Sequence, residues 1–170
     1  MNCQWTEKLF KVDQTSPELD EKRKKIFHTF VMKGMFLCKR GRPDIHTGIT
    51  FLSMRTGNPN NGDWEKLVRL LKFLNLTKED VLTIEASDNP SITWYVDAAF
   101  AVHEDMKSHS GATMTLGKGM IISGSTKQKI NTRSSTEAEL IAIDDYVSKV
   151  LWTKLFLLKH KVSQYTKILF

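Results

Sequence analysis

Residues 92–100, ITWYVDAAF, constrain this chain more than any other stretch. Their aromatic and β-branched side chains suit a pleated, half-buried strand, and the run carries a carboxylate, Asp97, towards its end. Farther along, Arg133-Ser134-Ser135-Thr136-Glu137-Ala138-Glu139-Leu140 opens the longest helical pattern in the chain. A carboxylate at a buried strand end, facing another in the first turns of a helix, is one way to hold a divalent cation. The rest of the chain either builds this pair or precedes it.

What surrounds the strand suggests a mixed sheet. Ala112, Met114 and Leu116 alternate with Thr113 and Thr115, which predicts a second strand, half-buried. Gly117-Lys118-Gly119 turns the chain, and residues 120–126 return as a third strand. Residues 165–170, YTKILF, predict a fourth. A helix from Ser134 would connect the third strand to the fourth, with Leu140, Ile143, Val147, Leu151, Leu155 and Leu158 as the stripe that packs on the sheet. The order strand, strand, strand, helix, strand predicts three antiparallel strands, with the fourth returning parallel beside the first.

The first part of the chain has a helical pattern. Ser16-Pro17 predicts a helix start, followed by Ile26, Phe27, Phe30, Val31, Met35 and Leu37 at rough helical spacing. Gly41-Arg42-Pro43-Asp44 breaks it, and residues 43–56 predict a second helix. Residues 57–62, GNPNNG, read as a loop, with Asp63 capping a third helix that carries Trp64, Leu67, Val68, Leu70, Leu71 and Leu74. Residues 80–85 predict a short strand. The turn at 86–90 is the expected boundary between a helical region, 1–90, and an α/β region, 91–170.

Composition narrows the function classes. At 170 residues and 41% hydrophobic, the chain can bury a real core. A formal charge of +6 favours a polyanionic partner such as nucleic acid, with Lys127, Lys129 and Arg133 forming a basic connection into the long helix. Solvated lysine faces would give the same composition. Two cysteines, Cys3 and Cys38, form neither a disulfide framework nor a metal-spaced cluster, so a reducing intracellular compartment is expected. No apolar run approaches the roughly 20 residues of a membrane span, and no secretory signal opens the chain.

Three groups could carry chemistry. His103 and His109 lie in a charged loop and are expected to be solvated rather than metal ligands. Asp97 could equally be a strand-terminal turn residue and Glu139 a helix-surface acid. Spacing does not choose between Glu137 and Glu139, since both border the apolar stripe. Ser134 and Glu137 form a capping box, which occupies Glu137 structurally and leaves Glu139 as the candidate ligand.

Several segments carry a resemblance. RPDI at 42–45, the helix around Trp64, YVDAAF at 95–100, SGATMTLGKG at 110–119, STKQK at 125–129 and SSTEAELIA at 134–142 resemble, in order, the tail of the copia-type retrotransposon polyprotein. There the reverse transcriptase ends and ribonuclease H begins. The resemblance implies that residues 1–90 correspond to the end of the polymerase and its connection, and 91–170 to the front of a ribonuclease H-like domain. It implies that Asp97 and Glu139 bind Mg²⁺ or Mn²⁺ for attack by water on the RNA strand of an RNA–DNA hybrid. Hard carboxylates without thiolates suit those ions. The family's third acid follows a strand resembling residues 166–170, beyond this chain, and no polymerase Asp-Asp pair is present. The expectation is a truncated polyprotein fragment, inactive or nearly so, with a non-catalytic nucleic-acid-binding remnant as the alternative.

Overall fold

A computed structural model of the protein describes residues 9–86, 91–160 and 166–169. The chain divides into two compact units, residues 1–81 and 82–170. The division falls ahead of the turn where the sequence suggested it, so residues 82–90 go with the second unit.

The first unit is helical. Helix α1, Glu21–Arg40, starts at Asp20, whose carboxylate accepts from the Arg23 amide at 2.8 Å. It does not start at Ser16-Pro17. The Leu19 amide donates to the Pro59 carbonyl (3.0 Å) and the Asn61 amide to the Pro17 carbonyl (3.1 Å), so residues 17–19 pair edge to edge with 59–61. Helix α1 buries Phe27, Val31 and Cys38, while Ile26, Phe30 and Leu37 of the expected face are exposed. A 3-10 turn, Pro43–Ile45, leads into α2, His46–Met54. Arg42 fixes this corner through Asp44 (2.7 Å) and both the carbonyl and hydroxyl of Thr77.

Helix α3 spans Asn61–Leu76, so Asn61 and Gly62 belong to the helix rather than to the loop before it. Its cap is Asn60, not Asp63. Asn60 Oδ1 accepts from the Asp63 amide (3.0 Å) and Asp63 Oδ2 from the Asn60 amide (3.1 Å), a reciprocal box. Asp63 is buried and also accepts from Arg55 at 3.0 Å, which offsets the cost of burying its charge. Phe27, Val31, Ile45, Ile49, Leu52, Leu67 and Leu70 form the unit's core.

In the second unit a strand forms at β1, Glu85–Ala86, shorter and later than the expected 80–85. The main sheet comprises β2, Ile92–Ala99, β3, His109–Thr115, β5, Ile122–Lys127, and β6, Thr166–Leu169. A two-residue strand β4, Gly117–Lys118, pairs with β1. The sheet order is β5-β3-β2-β6. Strands β2, β3 and β5 are antiparallel neighbours, and β6 lies parallel beside β2 in the register Ile92↔Thr166 to Tyr95↔Leu169, as the strand order predicted. Strand alternation sets the two faces. Ile92, Trp94 and Val96 are buried with Ala112 and Met114, whereas Tyr95 and Asp97 are exposed on the other side.

Helix α4, Ser135–Lys159, crosses the buried face. The side facing the sheet is Ala138, Ala142, Tyr146, Val150 and Thr153, and not the expected leucine stripe. Leu140, Val147, Leu151, Leu155 and Leu158 are exposed, and Ile143 is half-buried. Close approach decides the rotation. Tyr146 lies directly over Gly124 of β5, where a Cβ would run into its ring, and Thr153 accepts from the Trp94 indole at 3.2 Å. The alanines let the helix backbone come down onto the strands, whereas a row of leucines would hold it away.

Candidate metal site and its surroundings

Asp97 lies near the C-terminal end of β2, paired with Gly111 of β3, and is exposed rather than buried as expected, because strand alternation turns it away from the face that holds Trp94 and Val96. Its Oδ1 accepts from the following amide, Ala98, at 2.8 Å. Its other oxygen has no hydrogen bond among the described residues. Glu139 lies in the second turn of α4, next to buried Ala138, and is exposed. Glu137 Oε2 accepts from the Arg133 amide, while Ser134 Oγ accepts from the Glu137 amide at 3.2 Å. The cap therefore engages Glu137 but reaches one residue farther back than a regular box. Glu139 makes no side-chain hydrogen bond or ion pair among the described residues.

Asp97 and Glu139 do not project onto one sheet face. Asp97 belongs to the face that α4 leaves open. Among the described residues, no group of three or more His, Cys, Asp or Glu side chains could hold a metal ion.

Of the basic residues, Lys129 and Arg133 are exposed. Lys127 is not a free cation: its ammonium lies 2.8 Å from Asp105. That pairing lowers the Asp105 carboxyl below its usual range.

The histidines are not solvated. His103 and His109 are both buried, with His103 Nε2 and His109 Nδ1 3.0 Å apart and His109 Nε2 2.7 Å from Ser125 Oγ. Burial first, then Lys127, pushes His103 down to about 4, with Asp105 opposing. A second buried network ties the entry of α4 to β3. Gln128 Nε2 donates to the Ala138 carbonyl (2.8 Å) and to Ser110 Oγ (3.0 Å), and Ser110 donates to Asp145 (2.9 Å). Neither network shows in the sequence as spacing, because each joins residues that only the sheet register brings together.

The second unit is a mixed α/β fold whose fourth strand returns parallel beside its first long one. Homologues of the chain include retrovirus-related Pol polyproteins from copia-type transposons. It is 36% identical over 117 residues to the Pol polyprotein of transposon TNT 1-94 from Nicotiana tabacum, a match covering 68% of this chain and 9% of the relative. It is 27% identical over 140 residues to the putative transposon Ty5-1 protein YCL074W of Saccharomyces cerevisiae, covering 81% of this chain and 45% of that one. It is also 29% identical over 119 residues to secreted RxLR effector protein 161 of Plasmopara viticola, covering 69% of this chain and 84% of the effector. The chain thus spans less than half of each of these two transposon proteins. No family model and no solved structure matches it. No helix among the described residues is long and apolar enough to cross a membrane.

Proposed function

We propose that residues 82–170 are the front of a ribonuclease H-like unit from a retrotransposon polyprotein, and that residues 1–81 derive from the end of its reverse transcriptase. The ancestral reaction is hydrolysis of the RNA strand of an RNA–DNA hybrid with Mg²⁺ or Mn²⁺. The observation that carries this reading is the sheet itself: β6 returns parallel beside β2, whose C-terminal end presents Asp97.

Asp97 and Glu139 fit a hard divalent cation in chemistry, since both are exposed carboxylates without an ion-pair partner among the described residues. Such ions would activate water and stabilise the leaving 3′ oxygen. Asp97 offers one oxygen while the Ala98 amide holds the other, and Glu139 supplies its carboxylate from the first turns of α4. Lys129 and Arg133 stand open for phosphate contact, with Lys127 contributing less while Asp105 holds it.

Two ions roughly 3.5–4 Å apart need more carboxylates than one pair supplies, and the described residues assemble no third. The 170-residue chain is therefore expected not to cleave a hybrid by itself. The same observation favours the second reading, a non-catalytic remnant that binds nucleic acid.

Two measurements separate these statements. Hybrid incubated with the chain and Mg²⁺ should remain intact, as it should with Asp97→Asn. Robust cleavage lost in that variant would overturn the inactivity. Titrated Mn²⁺ should broaden amide resonances around Asp97 and Glu139, and Asp97→Asn should remove the effect. A titration that leaves both regions sharp would overturn the ion site.

A further inference from the structure

The rotation of α4 leaves an apolar seam facing away from the sheet. Leu140 is 61% exposed, Val147 38%, Leu151 52% and Leu158 39%. Together with Asp144 and Lys154, both exposed, these residues recur at alternating spacings of four and three, the heptad seam of a two-stranded coiled coil. Isolated exposed leucines are ordinary on a soluble protein, but four apolar positions recurring in heptad register along one side of a 25-residue helix, with a charge of each sign between them, mark an interaction surface.

We propose that α4 pairs antiparallel with α4 of a second copy of this chain. The order of residues along the seam selects that partner and that orientation. With the two-fold axis beside Lys149, Leu140 of one copy meets Leu158 of the other, Val147 meets Leu151, and Asp144 meets Lys154. The flanking Ile143 meets Leu155 in the same register. Every seam position is thus matched by an apolar or opposite-charge counterpart from the same sequence.

Beyond the seam the same symmetry holds. Glu137, Glu139, Asp144 and Asp145 lie in the N-terminal half of the helix with no Lys or Arg among them, and Lys149, Lys154 and Lys159 lie in the C-terminal half with no acid. An antiparallel pair sets acidic half against basic half. A parallel pair would put Asp144 on Asp144 and Lys154 on Lys154, and like charges in a seam are strongly disfavoured. Asp144 and Lys154 make no ion pair among the described residues, so neither is engaged elsewhere. An isologous two-fold contact closes on itself and leaves no open edge for further growth.

The test is sedimentation equilibrium of the full chain over a concentration series, with charge exchange at the seam. The parent chain should run as a reversible dimer. Asp144→Lys alone places lysines on lysines, and should raise the dissociation constant by at least on the order of tenfold. Lys154→Asp alone should do the same with acids. Each substitution lies on the exposed side of α4, and circular dichroism should report unchanged helix content. Mixing the two variants should restore dimer, now as a heterodimer, and the double variant should dimerise by itself. A chain that stays monomeric would overturn the proposal. Association indifferent to both single charge changes would also overturn it, since it would show unspecific apolar contact.

Discussion

The contact between His103 and His109 shows how one side chain can set a pH dependence. His103 is buried against His109, and its folded pKa is pushed from an ordinary 6.5 down to about 4. Between those values the unfolded chain binds a proton that the folded chain does not. Stability from this group is therefore complete above about 6.5 and falls as the pH drops towards about 4. Thermal unfolding followed across that window should show the parent losing stability on acidification, and His103→Gln losing less. Equal declines in the two proteins would show that His103 does not titrate as described. The sequence did not reveal this pair, for a physical reason. Residues 101–108 carry enough charge to read as a solvated loop, but the loop folds back: the His103 amide donates to the Lys107 carbonyl at 3.2 Å and Asn131 donates to the Asp105 carbonyl at 2.9 Å. Those bonds close the loop over His109, and no local pattern encodes them. The place of Asp97 near the end of a strand was legible in the local run, but its exposure was not, since that depends on which face α4 covers.

Among the elements, strands were read more reliably than helix surfaces. Strand β2 itself was legible in a local run, and because a period of two admits only two rotations, one choice of face settles its buried set, Ile92, Trp94 and Val96. Helix α4 offered two candidate faces about a third of a turn or more apart, and the greasier one points away from the sheet. Helix starts were displaced in the first unit for a related reason: Pro17 to Leu19 found backbone partners across the chain at Pro59 to Asn61, and a local cap signal cannot anticipate such pairing. The packing account of α4 predicts a specific failure. Gly124→Val would push a branched side chain into the Tyr146 ring, and overpacking of this kind costs about 1–3 kcal/mol. Chemical denaturation should show that loss, and removing the ring with Tyr146→Ala in the same chain should recover part of it, a coupling between contacting sites. Strictly additive effects would mean that the ring does not decide where α4 rests.

Across the whole molecule, charge is distributed unevenly between the two units. Fifteen of the 25 Lys and Arg and ten of the 19 Asp and Glu fall in residues 1–81, so that unit carries a formal +5 and residues 82–170 only +1. The sequence drew attention to Lys127, Lys129 and Arg133 because they flank the carboxylate pair, yet Lys127 is committed to Asp105. Any electrostatic affinity for nucleic acid must then draw mainly on the helical unit, where Lys22 and Lys25 stand exposed at the start of α1. Backbone contacts release counterions, and each phosphate neutralised adds close to one unit to the slope of log affinity against log salt. Binding of the chain to an RNA–DNA hybrid, measured by fluorescence anisotropy over a salt series, should weaken steeply as salt rises. Lys22→Ala with Lys25→Ala should flatten the slope by about two, Lys129→Ala by about one, and Lys127→Ala by less than Lys129→Ala. An affinity that does not respond to salt would remove nucleic acid from the proposed partners. A slope governed by Lys129 and Arg133 alone would instead place the contact beside the carboxylates and leave the helical unit without a part in it.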